Sequence, residues 1–113
     1  MNAEICKNIS LEKLGELRME ISDKKFVSRI IETEGKFKAL ADEKRLVLFH
    51  LLGMSELCVC DISSILNSPQ PTISNELKEL FRAGLISRRK EGRWIYYSAS
   101  IKGEKLLEAV SDE

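Results

Sequence analysis

The chain has 113 residues, 43% of them hydrophobic, with 18 basic and 18 acidic side chains and therefore no formal net charge. That length suits one domain with a modest core. No apolar run is long enough to cross a bilayer, and MNAEICKNIS has neither the basic nor the apolar region of a secretory leader, so a cytosolic protein without membrane contact is expected. Zero net charge argues weakly against nucleic acid, but residues 68–97 carry six basic side chains against three acidic ones. That segment is +3 and the remainder −3, so the chain is polarised.

Ser10 is a candidate N-cap for a first helix whose Leu11, Leu14, Leu17 and Ile21 recur at three- to four-residue spacing. Phe26, Val27, Ile30, Ile31, Phe37 and Leu40 continue a second helix, with Gly35 as its weak point. Asp42 suits the N-cap of EKRLVLFHLL, and Gly53 suits the position just past its end. A short helix around CDISSIL stops at NSPQP, where Ser68 would cap the next helix and Pro69 would take its first position.

In QPTISNELKELFRAG, a turn of about 100° per residue gathers Ile73, Leu77, Leu80 and Phe81 on one side. Thr72, Asn75, Lys78 and Arg82 project from the other. LISRRKEGRWIYYS then reads as two strands flanking Glu91-Gly92, where glycine can supply the positive φ of a hairpin turn. IKGEKLLEAV is a last short helix with Leu106, Leu107 and Val110 as its apolar contacts. The expected fold is mainly α with a small β-hairpin.

Two short helices joined by a tight polar turn, the second with a polar outer face, form a helix-turn-helix, and the hairpin after it forms a wing. Gln70 and Asn75 carry the donor and acceptor pair suited to adenine edges, Ser68, Thr72 and Ser74 can bond bases or phosphates, and Lys78 and Arg82 can neutralise phosphate. Arg88, Arg89, Lys90 and Arg93 suit backbone or minor-groove contact. Glu76 and Glu79 oppose phosphate.

Three cysteines form an odd count without a secretory leader, so Cys58 and Cys60 in ELCVCDI are read as metal ligands, redox groups or core filler. Thiolates select arsenic, antimony, cadmium, lead or zinc over hard cations. Residues two apart in a regular helix point about 200° apart, so this pair cannot grip one ion from within an undistorted helix. Coordination there would have to unwind or tilt the first turn. A disulfide across one intervening residue is strained, which ranks an oxidative switch lower. No CxxC in a βαβ setting and no glycine-rich phosphate loop supports an enzyme.

FKALADEKRLVLFHLL, ELCVCDI, QPTISNELKELFRAGLI and RRKEGRWIYYS together resemble the ArsR/SmtB family of winged-helix metalloregulatory repressors. The resemblance covers residues 35–98, leaving residues 1–34 as an N-terminal arm and dimerisation helix and 99–113 as a C-terminal helix within a single domain. It implies a dimeric winged helix-turn-helix repressor that binds an inverted-repeat operator and leaves it when a metal or metalloid binds. By position, Gln70, Thr72, Ser74 and Asn75 fall in its recognition helix and Lys90 to Arg93 in its wing.

Glu76 departs from the basic or imidazole residue that many members carry. Many arsenic-responsive members have a further cysteine three residues after the pair, where this chain has Ser63. Cadmium- and lead-responsive members pair the CVC motif with an N-terminal cysteine, which implies a Cys6, Cys58, Cys60 site for As(III)/Sb(III) or Cd(II)/Pb(II), with Cys6 reaching the pair of the other subunit. The zinc site of the C-terminal helices needs imidazole, and SIKGEKLLEAVSDE has none. His50, within LVLFHLL, is read as structural.

Overall fold

A computed structural model of the chain describes residues 8–111. The chain divides into two compact units, Met1–Thr33 and Glu34–Glu113. In the first, the Ser10 hydroxyl accepts from the Lys13 N–H at 3.1 Å and starts α1 (Leu11–Ser22). α2 (Lys24–Leu40) follows and runs through Gly35 without a break. None of the described residues 8–33 is buried. Leu11, Ile21, Ile30 and Ile31 leave most of their apolar surface exposed.

The second unit holds the core. Asp42 caps α3 (Glu43–Met54), its carboxylate accepting from the N–H groups of Lys44 and Arg45 at 2.9 and 3.2 Å. Gly53 does not end that helix, which runs one residue further with Ser55 as its C-cap. A Cβ on Gly53 would lie 2.5 Å from Leu107 Cδ1, so the glycine marks a close approach of the last helix.

β1 (Leu57–Cys58) leads into α4 (Val59–Leu66), α5 (Gln70–Arg82), β2 (Ile86–Glu91), β3 (Trp94–Ala99) and α6 (Ile101–Ala109). The sheet is antiparallel in the order β1-β3-β2, with Leu57 opposite Tyr97 and Arg89 opposite Tyr96. Glu91 pairs with Trp94, so the hairpin turn is Gly92-Arg93, one residue later than the sequence suggested. Gly92, at φ 63°, is the first turn residue, where a II′ turn requires glycine.

Leu48, Phe49, Leu52, Ile62, Ile73, Leu77, Leu80 and Leu85 form the buried centre between α3, α4, α5 and the start of β2. α6 packs onto it through half-buried Leu106 and Leu107. Its Gly103 sits where a Cβ would meet the Leu85 carbonyl oxygen and the Phe49 ring. Val110 lies just beyond α6 and is exposed, so it is not the apolar contact expected of it.

Candidate nucleic-acid interface and thiol pair

The turn between α4 and α5 is built by Asn67, Ser68 and Pro69. Asn67 adopts the left-handed conformation that a short amide side chain tolerates, at φ 51°. The Ser68 N–H donates to the Ser63 carbonyl at 3.1 Å, and the Ser63 hydroxyl donates back to the Ser68 carbonyl. Ser68 is thus part of the turn. The N-cap of α5 is Pro69, in extended backbone, and Gln70 is the first helical residue. Pro71 follows within the first turn, where its missing N–H leaves no intrahelical bond unmade.

α5 buries Ile73, Leu77 and Leu80 and exposes Gln70, Ser74, Asn75, Lys78 and Arg82. Thr72 departs from the outward set. It is half-buried and lines a cavity of about 420 Å³ with Glu43, Lys44, Asn67 and Glu76. Glu79 stays on the surface, 3.6 Å from Arg82.

Glu76 is turned inward. Its carboxylate accepts from Arg45 Nη1 at 3.1 Å, and the two side chains are only 16% and 20% exposed. Arg45 Nε also donates to the Ala39 carbonyl at 2.5 Å. The Glu76 carboxylate therefore ties α5 to α3. Nothing in the local pattern around Glu76 announces Arg45, 31 residues away.

In the wing, Arg88 lies over the Phe81 ring with 4.2 Å from Cζ to centroid, and Arg93 over Trp94 at 5.2 Å. Phe81 is accordingly a partly exposed platform for Arg88. Arg89 crosses the Tyr96 ring at 4.8 Å and holds Glu56 through two parallel 2.8 Å hydrogen bonds. Its Nη1 donates to Glu91 at 2.6 Å. These bonds hold the Glu56 carboxyl below its ordinary value and raise Arg89 further above its own. A phosphate reaching Arg89 would have to displace carboxylates, whereas Lys90 is exposed on the opposite face of β2.

The two cysteines straddle a helix boundary. Cys58 belongs to β1 and is the N-cap of α4, with extended backbone at φ −92° and ψ 171°. Cys60 is the second residue of the helix and is exposed. Cys58 lies at the extended N-cap and not inside the helix, so the opposed directions of residues two apart in a regular helix do not hold for this pair.

Asp61 Oδ2 accepts from the Cys58 thiol at 3.2 Å and faces its N–H at 3.4 Å. Gln70 Nε2 lies 3.5 Å from Cys60 Sγ and donates to it. These are soft donors beside a carboxylate, a set that suits a thiophilic ion. Among the described residues no group of three or more His, Cys, Asp and Glu side chains is arranged to hold a metal. Cys6 lies outside the described residues.

Ser63, which stands where a third cysteine would be, is occupied with the turn. His50 is exposed, with its ring edge-on to Phe49 at 6.3 Å between centroids. No helix among the described residues is long and apolar enough to cross a membrane.

A helix-turn-helix followed by a β-hairpin, with the short strand before it completing a three-stranded antiparallel sheet, defines a winged helix-turn-helix protein of the DNA-binding regulator class. Residues 42–88 match the family described as bacterial regulatory protein, arsR family. The cadmium resistance transcriptional regulatory protein CadC of Listeria innocua is 34% identical over 110 residues, covering 95% of this chain and 87% of that protein. The arsenical resistance operon repressor of Escherichia coli K12 is 48% identical over 65 residues, or 57% of this chain. The chain spans 56% of that repressor's length and 61% of a Halobacterium salinarum relative's.

Among solved structures, the homodimeric winged helix-turn-helix DNA-binding domain Mb0332 of Mycobacterium bovis superposes with a TM-score of 0.71 at 27% identity, over 78% of this chain and 82% of that one. The chain belongs to the ArsR family of regulators.

Proposed function

We propose that this protein is a cytoplasmic, homodimeric repressor that binds an inverted-repeat operator and releases it when a soft metal or metalloid is held by Cys58, Cys60 and Cys6. The observation that carries the reading is the position of the thiol pair. Cys58 closes the strand that pairs with the wing and Cys60 opens the helix that leads into α5, so an ion on these sulfurs acts on both DNA-facing elements. A soft ion on these sulfurs would add metal–thiolate bonds at the junction of β1 and α4.

Gln70, Ser74, Asn75, Lys78 and Arg82 are the groups offered to the major groove, with Thr72 and Ser68 at its edge and Lys90, Arg93 and Arg89 on the wing. The exposed apolar stripe of α1 and α2 supports a second copy as its cover. Two relatives named for arsenical and cadmium resistance support As(III)/Sb(III) or Cd(II)/Pb(II) as inducer. Two described sulfurs are too few for a tight site, and Cys6 of the other subunit is the proposed third donor.

Titration of the reduced protein with arsenite, antimonite, cadmium, lead and zinc tests the reading through sulfur-to-metal absorbance and operator release. Saturable uptake that releases DNA, weakened by Cys6→Ser and abolished by Cys58→Ser or Cys60→Ser with operator affinity kept, is expected. Equal response in the serine variants sinks the inducer assignment. Release by peroxide with loss of two protons per thiol pair would move the switch to oxidation.

A further inference from the structure

Gln70 belongs to both halves of that reading. It is the first residue of α5 and exposed on the side offered to DNA, yet its carboxamide N–H donates to Cys60 Sγ across the helix-turn-helix. A glutamine reads an adenine edge with its oxygen and one N–H together, so the whole planar group has to face the base. A carboxamide drawn back against α4 cannot extend into the groove at the same time.

We propose that Gln70 is the positioning residue through which Cys60 reports its occupancy to the DNA-reading helix. The inference rests on the repressor reading above. A neutral thiol is a weak acceptor, and its N–H···S bond is readily exchanged for a base. A metal-bound cysteine carries charge that the thiol lacks, so the same bond becomes charge-assisted and about twice as strong. Gln70 then becomes an outer-shell partner of the metal site and is withheld from DNA.

Competition for one carboxamide requires no unwinding of α4, which agrees with Cys58 lying outside that helix. Thermodynamic linkage makes the effect reciprocal: DNA that captures Gln70 weakens the ion's hold by the same factor.

The test uses the full reduced chain, cadmium(II) or, if it binds more tightly, arsenite, and a duplex selected from random sequence by the wild-type protein. Operator affinity is measured with and without the ion for wild type, Gln70→Ala and Gln70→Met. Both variants should bind the ion about tenfold more weakly, in line with other outer-shell losses, and the ion-induced drop in operator affinity should shrink by about tenfold.

The Gln70 side-chain amide signals of the wild type, followed by NMR, provide a readout independent of any variant. They should shift on ion binding and, with cadmium-113, show coupling across the N–H···S bond. Unchanged coupling in both variants, or amide signals that ignore the ion, would overturn the role of Gln70 and leave the repressor reading standing. A wild type that takes up neither ion, or keeps its operator when loaded, removes both.

Discussion

Asp42 and Glu56 are carboxylates with different assignments, and each supports a prediction. Asp42 satisfies two of the N–H groups at the start of α3. Asp42→Ala should cost about 1 kcal/mol of unfolding free energy, measured by urea denaturation, because those donors lose their partner. Glu56 works at longer range, holding Arg89 across the sheet.

The Glu56 carboxyl is depressed in the folded state from an ordinary value of 4.5, chiefly by the hydrogen bonds from Arg89. A depressed carboxyl contributes stability that is fully present above its unfolded pKa and lost as pH falls through the folded one. The strap should therefore hold the wing at pH 4.5 and open only at lower pH, read from the Arg89 Nε–H signal or from amide exchange across β2 and β3. Glu56→Gln should abolish that acid dependence; an identical profile in the variant would show that Glu56 is not its source. Both side chains are solvent-exposed, so the effect on global stability is small and falls with salt.

At the scale of elements, α5 has two faces with separable consequences. Leu77→Ala, on the buried face, should lower stability by about 2–5 kcal/mol in thermal or urea unfolding. Lys78→Ala, on the exposed face, should leave unfolding unchanged, weaken binding to all DNA sequences alike, and reduce the slope of log affinity against log salt by about one. A variant with an unaltered slope would remove Lys78 from the phosphate contacts. α6 offers a matching check on packing. Gly103→Ala puts a methyl against the Leu85 carbonyl, a backbone atom that cannot swing aside, and should cost at least about 1–3 kcal/mol.

For the whole molecule, the informative asymmetry is between a second unit with a packed core and a first unit none of whose described residues is fully buried. Amphipathic helices gain most of their stability from covering an apolar face, and α1 and α2 expose Leu11, Ile21, Ile30 and Ile31. On the proposed dimeric reading, Ile30→Asp together with Ile31→Asp should yield a monomer by sedimentation and abolish operator binding, since the proposed inverted repeat would be read by two recognition helices held at fixed spacing. A dimer that survives both substitutions would place the interface elsewhere.

Local signals in the sequence by themselves determined most of the elements. Ser10 and Asp42 cap the helices they precede, the apolar spacing of α5 picks out its buried face, and Gly92 marks the hairpin, because capping, periodicity and turn geometry act within a few residues. Reading failed at boundaries where a distant neighbour decides. Gly53 looks like the position just past a helix end in sequence and is the last residue but one of α3 in space, where the Leu107 side chain comes close enough that a Cβ would displace it.

The three links that organise the candidate site, Arg45 with Glu76, Arg89 with Glu56 and Gln70 with Cys60, join residues 31, 33 and 10 apart. Only the tertiary structure decided them. Charge and hydrogen-bonding capacity are written in each side chain, but the partner is chosen by which elements the buried core brings together.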